Sequence, residues 1–355
     1  MDGIEPMHRV RQWLIMLVAV GSLLLAGAQA SARSLPTRGR SATGYVQSVH
    51  TVFLIVLENR DWASIVGNDD APFINNWILP RAALAENYAT IVHPSELNYL
   101  WLEAATDFHL PHILASDADP YRAGDPRRLQ DPARDALQRS TNHLVSLLAR
   151  AHISWKSYQE GIDGKTCPLQ SAGRYAAKHN PMVFFDDVTD GGRLHSATCV
   201  AHIRPYAELA RDLTSARTTA RYNFITPDLC DDMHGDFQLM PFAVCAPSVA
   251  LGDRWLATAV PLILRSPAYR QGGVLFITWD EGNSPVNFLD RDDQASDGPI
   301  GLLVLSPYAR AGYRNTISYT HSSTLRTIQE ILGVTPLLGG AQHARDLRDL
   351  FTAFP

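Results

Sequence analysis

The sequence predicts an α/β fold on a mainly parallel sheet, and three observations lead there. The runs Val52-Phe53-Leu54-Ile55-Val56-Leu57 and Val274-Leu275-Phe276-Ile277-Thr278-Trp279 are continuously apolar rather than alternating, the pattern of strands buried on both faces. Further strand-like runs alternate with helix-like ones along the chain, as βαβ units require. Both apolar runs stop on polar residues, Glu58-Asn59 and Asp280-Glu281-Gly282. In an open parallel sheet the crevice beyond the strand carboxyl ends is where ligands bind.

The elements follow in order. Residues 52–57 are the first strand. Asp70-Ala71-Pro72 reads as a helix start, with Pro72 near the first position and an apolar stripe through Phe73, Ile74 and Trp77. A further helix begins near Asn98 and runs to Ala105. Ser140-Thr141 is a candidate cap for Leu144, Leu147 and Leu148, after which residues 153–158 alternate as a strand. Residues 222–226 read as a strand, 253–264 as a helix leading into the 274–279 strand, and 302–305 as a strand before a Ser-Pro turn. Ser322 opens a closing helix through Ile331. The Asp-dense stretches 116–135 and 283–298 read as loops around the strand ends. Asp117 and Asp119 could bind calcium, but solvated Asp-Pro turns are the favoured reading.

With 355 residues, 46% of them hydrophobic, the chain can bury a sizeable core, and it has no repeat or break in composition. A net charge of −5 without a Lys/Arg run argues against a nucleic-acid partner. Arg9 and Arg11 precede an apolar stretch from Leu14 to Leu25, and Ala28-Gln29-Ala30 supplies the small residues of a cleavage site. Residues 1–30 are therefore expected to be a signal peptide cut near Ala30, with Met7 an alternative start. Residues 31–46 would be a loose leader and 47–355 a single catalytic domain, periplasmic or secreted, with no stable membrane span. A membrane anchor is the alternative, although the stretch is short for spanning. Four cysteines downstream of the signal suit two disulfides. Neighbour pairing, Cys167 with Cys199 and Cys230 with Cys245, is preferred among three connectivities; free buried thiols are the alternative.

Glu58, Asn59, Asp280 and Glu281 at one sheet edge would make a hard, oxygen-rich cation site. Either pair alone also fits a helix cap or a turn. Ser95 in His93-Pro94-Ser95-Glu96-Leu97-Asn98-Tyr99 is either an N-cap or a nucleophile, and as a nucleophile it needs a base or a metal. In the stretch from Asp228 to Asp236, Asp232 lies two residues before His234, and a carboxylate so placed can orient an imidazole. A polar loop with an exposed histidine is the plainer alternative. Spacing alone does not single out His179.

At these residues the chain resembles the secreted phosphoesterases that include bacterial acid phosphatases and phosphatidylcholine-type phospholipases C, and most of all the short acid phosphatases. The matching stretches are LENRDWASIVGN with APFINN, HPSELNYL, YAAKHNP, TPDLCDDMHGD, GDRWL and TWDEG, in the expected order between Thr51 and Gly333. The resemblance implies an alkaline-phosphatase-like α/β/α sandwich. It also implies one divalent metal ion, of uncertain identity among Mg²⁺, Ca²⁺, Mn²⁺ and Zn²⁺, held by Glu58, Asn59, Ser95, Asp280 and Glu281. Ser95 would be the nucleophile, and Asn59 would also contact a phosphoryl oxygen. His179 and His234 would hold the phosphoryl group or protonate the leaving group. Asp232 would orient His234, with Asp231 the weaker substitute, while His321 falls in a family-like segment outside the core site. Two departures, Leu97 for a usual proline and Trp101-Leu102-Glu103-Ala104 for a Gly-containing end, bear on the substrate pocket.

The implied chemistry is hydrolysis of a phosphate monoester, a phospholipid headgroup among the possible substrates, through phospho-Ser95 and with an acidic optimum. A phospholipase C-type phosphodiesterase would use the same site. A serine carboxylesterase is disfavoured because no GxSxG surrounds Ser95. A secreted binding protein with a structural ion is the non-enzymatic alternative.

Overall fold

The two apolar runs become central strands because neighbours cover both of their faces. The computed structural model describes residues 49–354 apart from 110, 115, 133–134, 236–244 and 283–296. The expected signal peptide and leader, and most of the expected 283–298 loop, lie outside the described residues. In chain order the strands are β1 (Thr51–Leu57), β2 (Ala83–Ala85), β3 (Tyr88–Ala89), β4 (Trp155–Gln159) and β5 (Ile203–Pro205). Then come β6 (Tyr222–Thr226), β7 (Gly273–Trp279), β8 (Leu302–Leu305), β9 (Arg314–Asn315) and β10 (Tyr319–Thr320). Eight of them form one sheet in the order β5-β4-β6-β1-β7-β8-β2-β9, and β10 pairs with β3 separately. From β5 to β7 the pairing is parallel; β8 runs antiparallel to both β7 and β2. The fold is an α/β sandwich with a mostly parallel central sheet, as expected.

All seven residues of β1 and all seven of β7 are buried. At about 1.5–3 kcal/mol per large apolar side chain, an upper estimate, these strands anchor the core. Leu57 is level with Trp279 across the β1–β7 pair. Both strands therefore stop at the same height, and the next residues of each emerge together.

The helices depart from expectation in instructive ways. The stretch after Pro72 contains a five-residue π turn, Ile74–Ile78, rather than a regular helix. Its first N–H groups are taken by a distant carboxylate, Phe73 and Ile74 donating to Asp253 at 2.9 and 2.8 Å. The helix expected from Asn98 starts at Ser95 and runs to Ala104. Ser140 and Thr141 do not cap the Leu144–Arg150 helix; His143 is its N-cap and Glu103 Oε1 accepts the Val145 N–H at 2.7 Å. The long Val249–Arg265 helix begins earlier than expected because Ser248 caps it by accepting the Leu251 N–H. The closing helix spans His321–Leu332 and stops at Gly333, whose φ of 66° is the left-handed conformation that ends helices.

Both expected disulfides are present, Cys167–Cys199 and Cys230–Cys245. Among the described residues no helix is long and apolar enough to cross a membrane.

Candidate active site

Glu58 is the first residue beyond β1 and Asp280 the first beyond β7. Asp280 N–H donates to the Leu57 carbonyl at 2.9 Å, and Glu58 N–H to the Asp232 carbonyl at 2.8 Å, so the ends of β1 and β7 are tied to each other and to the loop that follows β6. Asn59 has φ 41°, a conformation asparagine tolerates better than most residues. That turn lets its N–H reach Asp280 Oδ1 at 3.0 Å and its Nδ2 reach Glu281 Oε1 at 3.2 Å. Arg60 fastens the neighbouring turn, donating to the Met233 carbonyl at 2.6 Å. Gly282 has to be small: a Cβ there would meet Asp61 Oδ1 at 2.3 Å and Asp297 Oδ2 at 3.0 Å.

The Ser95–Ala104 helix supplies the other side of the site. Its N-cap is Pro94, which leaves the Ser95 hydroxyl free of capping, and Oγ donates to Glu58 Oε2 at 3.1 Å. Ser95, Asn98 and Tyr99 share one helix face by their spacing. Asn98 Nδ2 donates to Glu281 Oε2 at 2.8 Å, and the Tyr99 ring stacks on His179 with centroids 5.0 Å apart. His179 Nε2 lies 3.1 Å from Glu58 Oε1, and His234 Nδ1 lies 3.8 Å from Glu58 Oε2. Ser95, His179 and His234 thus converge on one buried carboxylate.

Asp232 touches both histidine segments. Its Oδ1 accepts the backbone N–H of His234 at 2.8 Å, while its Oδ2 stands 3.8 Å from His179 Nδ1. It shapes the turn carrying His234 and faces the ring of His179. His321 lies behind the site: Nε2 donates to the Asp280 carbonyl at 2.7 Å and Nδ1 lies 3.1 Å from the Tyr88 hydroxyl. Asp117 and Asp119 are structural. Asp117 accepts the Glu96 N–H at 3.0 Å and pairs with Lys178 at 2.8 Å; Asp119 accepts from the N–H and hydroxyl of Ser171.

The electrostatics are dominated by crowded buried carboxylates. Burial, then Asp280, hold the Glu58 carboxyl well above its usual range. Burial also raises Asp232 strongly, against the His234 N–H, and burial with Glu281 pushes Asp280 up to about 8. Lys178 opposes all three. Burial, with Lys178 and Arg60, depresses His234 to about 4, and burial drives His179 well below 6.5. His93 is the opposite case: burial works against its charge, but contacts with Asp297 and Glu281 win and push it to about 10.

The donor set fits a hard divalent cation. Asn59 Oδ1 and Asp280 Oδ2 are buried and accept no hydrogen bond, and a cation would offset the burial and the mutual repulsion that raise Glu58 and Asp280. Among the described residues a second carboxylate group, Glu160, Asp228 and Asp231, has ligand atoms within 4.8 Å of one another. It is a candidate divalent-cation site that spacing did not single out, because Glu160 follows β4, far along the chain from Asp228 and Asp231. Asp231, the weaker substitute for Asp232, belongs to this group.

Known proteins match this chain in family and in fold. Residues 68–335 match the model of the Phosphoesterase family. The chain belongs to that family. Among phosphoesterase relatives, a phosphatidylinositol-3-phosphatase of Mycobacterium tuberculosis is 28% identical over 98% of both chains. Fungal acid phosphatases match at 22–25% identity, and the chain spans 47–71% of their length. Among solved structures, an alkaline phosphatase superfamily protein from Vibrio parahaemolyticus superposes with a TM-score of 0.53 at 10% identity, over 84% of this chain and 70% of that one. Murine ectonucleotide pyrophosphatase/phosphodiesterase 5 gives 0.51 at 11% identity, over 85% and 100%. The fold resembles that of alkaline phosphatase superfamily structures, and family membership makes the chain a hydrolase of phosphate esters. His93, Lys178, Asn98 and Tyr99 are further residues at the site; all four lie in the matching stretches, but their roles depend on partners distant in the chain.

Proposed function

We propose that the protein is an exported, metal-dependent acid phosphatase that hydrolyses phosphate monoesters through phospho-Ser95. The single observation that carries this reading is the Ser95 hydroxyl aimed at Glu58, 3.1 Å away, beside His179 and His234. When bound by Glu58, Asn59, Ser95 and Asp280, with Glu281 alongside, a divalent cation supplies charge screening and a lowered serine pKa.

The chain's own residues account for the remaining steps. Glu58 Oε2 accepts the Ser95 hydrogen bond and points Oγ at the phosphorus. As the new P–O bond forms in line, the Ser95 proton passes along its hydrogen bond to Glu58 Oε2 and the ester P–O bond breaks. His234 is the better placed proton donor to the leaving alcohol, because its side chain is 26% exposed against 2% for His179. His179, stacked on Tyr99, holds the phosphoryl group. Water, giving a proton to the now neutral His234, then attacks the phosphorus; the P–Oγ bond breaks, Oγ recovers its proton from Glu58 and orthophosphate is freed. A depressed His234 becomes a better-populated acid as the pH falls toward 4, which favours an acidic optimum. The signal-like residues 1–30, a catalytic domain over 47–355 and two disulfides support action in the periplasm or outside the cell.

A second reading, a phosphodiesterase of phospholipase C type using the same centre, is favoured by a fold neighbour that is named a phosphodiesterase. Metal-stripped protein with single ions restored, assayed on p-nitrophenyl phosphate, phosphatidylinositol 3-phosphate and nitrophenyl phosphorylcholine, separates the two. Faster release from the monoesters, peaking below pH 7, is expected. Faster release from the phosphorylcholine diester replaces the first reading with the second, and chelator-resistant hydrolysis of nitrophenyl acetate alone refutes both.

A further inference from the structure

We propose that His93 is a positioning residue: it fixes Glu281 so that Glu281 holds the Asn59 amide with its oxygen turned toward the cation. This rests on the reading of Ser95, Glu58, Asn59 and Asp280 as a cation-dependent phosphoesterase centre.

The argument starts from what an amide and a carboxylate can exchange. A carboxylate only accepts hydrogen bonds, so an asparagine facing one must present its NH₂ group. Asn59 Nδ2 donates to Glu281 Oε1 at 3.2 Å, and Asn59 Oδ1 is left buried and without a hydrogen-bond donor. Glu281 therefore decides which end of the Asn59 amide is available for ligation.

Glu281 is itself held from the nucleophile segment. Its Oε2 lies 3.0 Å from His93 Nδ1 and 2.8 Å from Asn98 Nδ2, on either side of Ser95 in the chain. The second nitrogen of His93, Nε2, stands 2.9 Å from Asp297 Oδ2, and the same oxygen accepts the Gly282 N–H at 2.8 Å. The buried imidazole, 7% exposed, thus grips the side chain of Glu281 directly and the backbone after it through Asp297. Groups that orient the inner ligands of a metal change affinity about 10–100-fold when altered.

Two substitutions in the full mature protein divide the grips. In His93→Asn the amide nitrogen falls near the Nδ1 position and keeps the Glu281 contact; in His93→Gln it falls near Nε2 and keeps the Asp297 contact. Mn²⁺ affinity by calorimetry needs no turnover. We expect His93→Asn to stay within about threefold of wild type and His93→Gln to bind Mn²⁺ about 10–100-fold more weakly. With p-nitrophenyl phosphate the loss should fall mainly on kcat, with KM little changed. Equal affinities for the two variants, or tighter binding by the Gln variant, would overturn the assignment while leaving the centre intact. A wild type that binds no divalent ion and turns over no phosphate ester would overturn the centre itself. Should either variant fail to fold, a Mn²⁺-loaded crystal structure of wild type decides. Asn59 Oδ1 toward the ion and Nδ2 on Glu281 sustains the proposal; a flipped amide, or a Glu281 away from His93, overturns it.

Discussion

Replacing Asp280 with asparagine should stabilise the metal-free protein near neutral pH while abolishing its response to divalent ions. The Asp280 carboxyl has an ordinary value of 3.8 and about 8 in the fold, chiefly from burial and then from Glu281. A carboxyl raised in this way costs nothing below 3.8, and the cost grows as pH rises toward 8. At about 1.36 kcal/mol for each pH unit above 3.8, the cost at pH 7 is about 4 kcal/mol. Asparagine removes that cost and its oxygen can still accept the Asn59 N–H. Its NH₂ takes the place of Oδ2, a buried atom with no hydrogen-bond partner, which costs about 1–3 kcal/mol. The expected net effect is a gain of about 1–3 kcal/mol at pH 7 and a loss of about 1–3 kcal/mol at pH 4. Urea unfolding in chelator at both pH values measures it, and added Mn²⁺ should then raise the midpoint of wild type only. A variant less stable than wild type at pH 7 in chelator, or a gain equal at both pH values, would refute the reasoning.

Ser95→Ala should lower kcat on phosphate esters on the order of 10⁴-fold or more and leave the melting temperature nearly unchanged; residual turnover within tenfold of wild type excludes Ser95 as nucleophile. His143→Ala should cost about 3–5 kcal/mol at pH 6, because His143 lies between Glu103 at 3.0 Å and Asp187 at 2.9 Å. Burial opposes the His143 charge, but Asp187 and Glu103 outweigh it and raise it above 6.5; denaturation curves should show the difference shrinking as pH rises past that raised value. Breaking Cys167–Cys199, which closes a separation of 32 residues, should cost about 4 kcal/mol, and Cys230–Cys245, with 15, about 3; the reverse order of losses in thermal melts would contradict the chain-entropy account.

The parts of the fold legible in the sequence were those whose signal is local. Strands buried on both faces must be continuously apolar, so β1 and β7 declared themselves, and Glu58 and Asp280 followed from where those runs stop. Strands β2, β3, β5, β9 and β10 are two or three residues long, too short to carry a period. The π turn after Pro72 depends on Asp253, some 180 residues away, and no local pattern encodes it. Ser95 fits a cap as well as a nucleophile in sequence because both occupy the same position; in the fold Pro94 is the N-cap and the Ser95 hydroxyl is directed at Glu58. Asp232 lies two residues from His234 in sequence and accepts its backbone N–H, and it also faces His179, a contact that proximity along the chain does not show. Lys178, Asp117 and His93 act through partners that sequence separation hides.

Because β1 and β7 are paired in step, with Leu57 level with Trp279, the length of each strand is itself a functional quantity. Deleting or inserting one residue inside β1 could preserve its oily character and its pairing, yet it would turn Glu58 to the far side of the pleat. The serine would then face a strand end that no longer presents its carboxylate.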